Sequence, residues 1–186
     1  PRRAGAMRSP GRRLVVDADV GRAAADPAKI ERGAPIDPRA LQISKALRQI
    51  KAARHTVVFA PALTAEWDKH APEPRAGRKW LGEMLTAGLV ARHDADPEDP
   101  ALARLVDERL PAPDQRVAQK DLHVVSLALE RGDRRVVSLD GRAREKFARL
   151  KDGHPGLRQL HWAAPDSEAA ARWLRDGAKD DPEFAL

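Results

Sequence analysis

Four acids in this 186-residue chain occupy positions where a charged side chain is out of place, and as a group they suit a divalent cation. Asp17 follows the apolar run Leu14-Val15-Val16, and Asp140 follows Val136-Val137-Ser138-Leu139. Both spacings put a carboxylate at the end of a short buried strand. Glu66 lies at helical spacing from Leu63 and beside Trp67. Asp121 lies three, four or seven residues from Val117, Ala118, Val124, Val125 and Ala128, so it shares their apolar face. Charged groups are almost never fully buried unless they are paired or bind a metal. Each acid alone has an ordinary reading: Asp17 or Asp140 as a helix cap, Glu66 as the partner of an arginine, Asp121 as a first-turn acid. Brought together, they repel one another unless a cation is bound or some are protonated. The chain has no cysteine, which leaves oxygen donors and points to Mg²⁺ or Mn²⁺.

The elements that must position these acids follow from hydrophobic spacing and turn chemistry. Leu14–Val16 reads as a strand, then a Pro- and Gly-bearing loop from Asp26 to Pro38, then a helix opened by Pro38 with Leu41, Ile43, Leu47 and Ile50 on one side. Thr56–Phe59 reads as a second strand, and Pro61 fits the first turn of the helix that carries Glu66. Residues 74–87 read as a helix with Trp80, Leu81, Met84 and Leu85 as its stripe. Leu89-Val90-Ala91 follows as a minor strand, Asp94–Asp99 as a loop and Ala101–Leu110 as a short helix closed by Pro111 and Pro113. One continuous helix capped near Asp114 is expected to run to about Glu130, stopped by Gly132. Arg135–Leu139 reads as a strand, Gly141–Lys151 as a helix, Leu157–Trp162 as a strand, and Asp166 as the cap of a last helix. Strands alternating with helices predict an α/β domain: a three-layer α/β/α sandwich with a mainly parallel central sheet. The expected limits are a disordered basic lead-in over 1–12, one domain over 13–178 and a C-terminal tail over 179–186.

Charge and composition narrow the partners. Residues 1–60 hold 13 Lys and Arg against 5 Asp and Glu, whereas 61–186 hold 21 against 23. A basic first third suits a polyanion. Lys45, Arg48 and Lys51 form one basic stripe and Arg75, Arg78 and Lys79 another; each could track the backbone of a polyanion or simply be a solvated helix face. Lys120 and Arg142 are candidates for phosphate contact. His123 is expected on a solvated helix face. No run approaches the roughly 20 apolar residues of a membrane span, and no secretory signal pattern opens the sequence, so a cytoplasmic location without membrane partners is expected.

In order and separation, four segments resemble the PIN-domain nucleases, the VapC-like toxin ribonucleases and their relatives. They are Leu14-Val15-Val16-Asp17-Ala18-Asp19-Val20, Pro61-Ala62-Leu63-Thr64-Ala65-Glu66-Trp67, Lys120-Asp121-Leu122-His123-Val124-Val125-Ser126-Leu127-Ala128 and Arg135-Val136-Val137-Ser138-Leu139-Asp140. The resemblance covers roughly residues 13–165. It implies a metal-dependent endonuclease acting on RNA, with Asp17, Glu66, Asp121 and Asp140 as its acidic residues. Asp17 and Asp140 would be direct metal ligands, and Asp121 a ligand directly or through water. Glu66 would position or deprotonate the attacking water or hold a second ion, with Ser138 and Asp19 in support. Many such proteins are toxins of toxin–antitoxin pairs, so an antitoxin protein and a second copy of the chain join RNA as expected partners. Departures from the pattern are Arg144, where a further acid is common, and Asp19, where a small hydroxyl or amide residue is common. Two alternatives are a non-cleaving module that binds nucleic acid or protein, and a phosphotransferase or phosphatase built on Asp17-Ala18-Asp19.

Overall fold

A computed structural model describes residues 11–26, 31–70 and 76–186. Five short strands form the sheet: β1 (Arg13–Val16), β2 (Thr56–Phe59), β3 (Val90–Arg92), β4 (Arg135–Val137) and β5 (His161–Ala163). Every pairing is parallel and the order is β3-β2-β1-β4-β5. Leu14, Val15, Val16, Val57, Val58, Val136 and Val137 are all fully buried. Strands this uniformly apolar need cover on both faces. Nine helices among the described residues give that cover, and the result is a three-layer α/β/α sandwich. They are α1 (Ala18–Ala23), α2 (Pro38–Ala52), α3 (Pro61–His70), α4 (Ala76–Thr86), α5 (Pro100–Arg109), α6 (Ala112–Lys120), α7 (Leu122–Glu130), α8 (Gly141–Leu150) and α9 (Glu168–Arg175).

The strand order sets where a site can form. From β1 the chain steps to β2 and β3 on one side, then returns to build β4 and β5 on the other. The order therefore reverses between β1 and β4, and open α/β sheets bind ligands at the carboxyl ends beside such a reversal. Val15 lies opposite Val136 and Val16 opposite Val137, so the next residues, Asp17 and Ser138, leave the sheet side by side. On the helical side, Trp67 Nε1 donates to the Val16 carbonyl at 2.9 Å. A Cβ on Gly21 would stand 2.6 Å from the Trp67 ring, and one on Gly77 would stand 2.5 Å from the Gly21 backbone. Two glycines thus let α1, α3 and α4 close against one another, which brings Asp17 and Glu66 to the same end of the sheet.

Several expectations need correction. The single helix foreseen up to Glu130 is two, broken at Asp121 (φ −103°, ψ 9°). Pro113 opens α6 rather than closing α5, and Asp114 is not a cap but an ion-pair partner of Lys146 and Arg149. Leu157–Gln159 is a 3₁₀ turn, so only residues from His161 onward join the sheet. Ser167, not Asp166, caps α9 through its hydroxyl, while Asp166 pairs with Arg39. Leu85 is exposed, the outermost member of its stripe. Residues 179–186, foreseen as a tail, pack on the domain. Trp162 N donates to the Phe184 carbonyl, His161 bridges Ala185 in antiparallel sense, and Phe184 stacks on Trp173. The expectations for residues 1–10 and for Arg75 lie outside the described residues.

Candidate metal centre

Asp17 directly follows β1 and is buried. It begins α1, yet its side chain makes no cap bond there. Instead Oδ2 accepts the Ser138 hydroxyl proton at 2.8 Å, and Ser138 Oγ in turn accepts from the Asp140 backbone N–H at 3.0 Å. Ser138 thereby ties the ends of β1 and β4 together. Asp140 does cap its helix: Oδ1 accepts from Ala143 N at 2.9 Å. Its second oxygen points elsewhere, 3.8 Å from the ammonium of Lys120. Asp19, in the first turn of α1, accepts from the Leu139 backbone N–H at 3.1 Å. This gives the β1–β4 crevice a second cross-link.

Asp121 sits at the α6–α7 break and is only 2% exposed. Its Oδ1 lies 3.8 Å from Lys120 Nζ, and its buried Oδ2 has no hydrogen-bond partner. Burial, and next to it the charges of Asp17, Asp140 and Glu66, raise the Asp121 carboxyl to about 7 against the pull of Lys120. Asp19 is likewise raised to about 7, chiefly by burial and the charge of Asp17, although the Leu139 N–H opposes this. Lys120 is raised in its turn, first of all by Asp121 and then by Asp140, Asp17 and Glu66. Asp17, Asp121 and Asp140 thus share one electrostatic neighbourhood with the Lys120 ammonium, with Asp19 on one side of it and Glu66 on the other.

Glu66 borders the group from α3, and its side chain is 30% exposed. His123 Nε2 stands 3.3 Å from Glu66 Oε2 but off the alignment of a hydrogen bond, and that nitrogen is otherwise buried without a partner. The expected solvated place for His123 is therefore corrected. The break at Asp121 turns the first turn of α7 toward α3, a rotation that continuous helical spacing cannot reveal.

The other basic candidates scatter. Lys45 pairs with Glu168, Lys51 with Glu83 and Arg78 with Asp68. Arg48, Lys79 and Arg142 are exposed, and Arg142 alone of these three stands in the first turn of α8 directly after Asp140. The stripe on α2 lies against α9, whose Glu168 it engages, and is not part of the acid cluster.

As a donor set the acids fit a hard cation, being oxygen-only and holding an orphaned buried lone pair on Asp121. The ligand shell is not preformed: among the described residues, no three His, Asp or Glu side chains stand as a group that could hold a metal ion. Unscreened carboxylates repel, and Lys120 is the cation they share. Comparison with protein-family models finds no match, and comparison with curated proteins and with solved structures finds none. Among the described residues, no helix is long and apolar enough to cross a membrane.

Proposed function

We propose that this chain is a metal-dependent endoribonuclease hydrolysing RNA phosphodiester bonds at the acid cluster. One observation carries this reading. Asp121 is buried with a free carboxylate oxygen, in the field of Asp17, Asp19, Glu66 and Asp140, at the switch-point crevice of a parallel sheet. A fold gains no stability by gathering acids in this way, whereas chemistry on a phosphate needs them. Asp17, Asp121 and Asp140, with Glu66 beside them, would hold Mg²⁺ or Mn²⁺, which when bound acidifies a water and neutralises charge on the attacked phosphate.

The protein's own groups have distinct parts in this scheme. Ser138 fixes the Asp17 carboxylate through its hydroxyl, and Asp19 holds the Leu139 peptide, so the crevice keeps its shape under repulsion. Glu66 has His123 as its sole ion-pair neighbour among the described residues, which leaves its carboxylate able to take the proton of an attacking water. Lys120 holds an ammonium 3.8 Å from both Asp121 and Asp140, where it would pair with a non-bridging oxygen of a phosphate bound at the acids. Arg142 extends that positive charge along the RNA backbone. The setting consistent with the family resemblance is a cytoplasmic toxin of a toxin–antitoxin pair, held by an antitoxin and acting as a homodimer.

A second reading, a non-cleaving module for nucleic acid or protein, is favoured by one feature: no three carboxylates already stand in ligating positions. Incubating end-labelled RNA with the protein in Mn²⁺, in Mg²⁺ and in excess chelator separates the two. The nuclease reading expects internal cuts with either metal and none with chelator. Intact RNA in all three, with RNA retained on the protein, establishes the second reading instead.

A further inference from the structure

Beside the acid cluster lies a cleft of about 460 Å³ between the loop leading into α5 and the outer face of α7. Pro97, Pro100, Ala103 and Leu122 supply its apolar walls, and Glu98, His123 and Ser126 its polar points. The cleft adjoins the candidate centre through α7. Leu122 and His123 directly follow Asp121, and His123 also touches Glu66.

We propose that this cleft binds a nucleobase of the RNA, the one next to the phosphate held at the acids, and that it favours bases carrying an exocyclic amino group. The inference rests on the nuclease reading for the identity of the polymer. Three features select a base over other groups. The volume lies within the range of small-ligand pockets, and mainly apolar walls with few polar points are the usual make-up of such pockets. Flat proline and leucine surfaces suit the faces of a heterocycle. The two carboxylates at the mouth, Glu98 and Asp99, repel phosphate, so the backbone stays outside while the neutral base enters.

The polar points then read the edge. Asp99 is already engaged: it caps α5 at Leu102 N, 2.9 Å, and lies 3.1 Å from His154 Nε2. Glu98 is exposed and, among the described residues, has neither an ion pair nor a hydrogen bond, so its carboxylate is open to an amino group. The Ser126 hydroxyl, which makes no hydrogen bond among the described residues, is the second polar point, while His123 Nε2 faces Glu66 at 3.3 Å and marks the border with the centre.

The test uses single-stranded RNA pentamers that differ only in the central position: A, C, G, U or an abasic ribose. Affinities are read by fluorescence anisotropy with Ca²⁺ in place of Mg²⁺. The expected result is that the best of A, C and G binds at least tenfold tighter than the abasic pentamer, the gain from burying and stacking one base. Ala103→Trp fills the cleft from a half-buried position and should shrink that gap below threefold, with abasic affinity held within threefold. Glu98→Gln, on the exposed rim, should narrow the lead of amino-bearing bases over uridine while the fold is unaffected. A gap below threefold in the unaltered protein, or no binding of any pentamer, overturns the inference and leaves the cleft as a surface for a protein partner. So does a full gap retained by a folded Ala103→Trp. If that variant loses its circular dichroism spectrum, Glu98→Gln decides alone, and an unchanged lead over uridine overturns the amino-group reading. Cleavage is scored separately in Mg²⁺. Base-graded binding without cleavage removes the nuclease reading only, and cleavage without base grading removes the cleft only.

Discussion

The two ends of the sheet bury comparable amounts of polar and charged side chain, but they treat it in opposite ways. At the amino end, Arg135 is buried and donates to the carbonyls of Ala178, Asp133 and Arg134 and to the carboxylate of Asp180. Both ring nitrogens of His55 are used, one accepting from Arg12 N and the other bonded to the Leu174 carbonyl. His161 is likewise engaged on both sides, by Gln159 and Asp181. At the carboxyl end, Asp121 Oδ2 and His123 Nε2 are buried with no hydrogen bond, and two carboxyls are pushed to about 7. Buried polar groups are nearly always satisfied, so an unsatisfied set calls for a use. The amino end is architecture, and the carboxyl end holds capacity that the fold itself does not consume.

The sharpest way to break this contrast is to disable each end in turn. Asp17→Asn combined with Asp140→Asn should lower RNA cleavage by at least a hundredfold. Its melting temperature should stay level or rise, because the amides keep the shape and remove repulsion. Undiminished cleavage by the double variant sinks the assignment of the centre. Arg135→Met should do the reverse. It strands the carbonyls of Ala178 and Asp133, since the Arg134 carbonyl keeps the His161 N–H and the exposed Asp180 carboxylate takes up water. The cost should be about 2 kcal/mol in a urea melt, while cleavage per folded molecule is unchanged. A neutral melt would mean that the amino-end network is ornamental.

Cation binding sharpens the comparison at a smaller amplitude. Addition of 1 mM MnCl₂ should raise the melting temperature by a few degrees at pH 8, the shift expected when a ligand is in modest excess over its dissociation constant. The gain should vanish at pH 5, where Asp121 and Asp19 hold their protons. It should also vanish in the Asp17→Asn, Asp140→Asn variant, which retains the amino end. An equal rise in that variant would locate the ion elsewhere.

How much of this was legible in the sequence depended on whether periodicity or packing decides. The strands β1, β2 and β4, the Pro-opened helices and the acids at strand ends follow from short-range rules, and the sheet places Asp17, Ser138 and Asp140 where those rules put them. The break at Asp121 did not show. Val117 and Ala118 before it and Val124, Val125 and Ala128 after it keep one helical spacing, and a single residue at φ −103° changes the direction of the chain without changing the hydrophobic pattern. For that reason His123 faces Glu66 rather than solvent. The basic stripe on α2 was legible as a stripe, but its carboxylate partner Glu168 comes from a helix more than a hundred residues away. The strand expected at Leu157 failed because apolar content alone does not distinguish a buried 3₁₀ turn from a strand.

The smallest effect is also the most diagnostic, because the two ends titrate with opposite sign. His55 and His161 are held below the usual histidine value, first of all by burial. Folding therefore disfavours their protonation, and the amino end is fully stable above pH 6.5 but loses stability as pH falls below it. Asp121 and Asp19 are raised from 3.8 to about 7. The folded state holds those protons more tightly than the unfolded chain does. The carboxyl end is thus fully stable below about pH 4 and loses stability as pH rises toward 7. Asp121→Asn removes one of these two acids without touching the histidines. In metal-free buffer it should raise stability at pH 8 by on the order of 1 kcal/mol, a fraction of the shift because the remaining acids and Lys120 readjust. At pH 4 it should change little, and the decline below pH 6.5 should keep its slope. A variant that gained equally at both pH values would show that Asp121 is strained by packing rather than by charge, and the unbalanced carboxylates would lose their claim to a function.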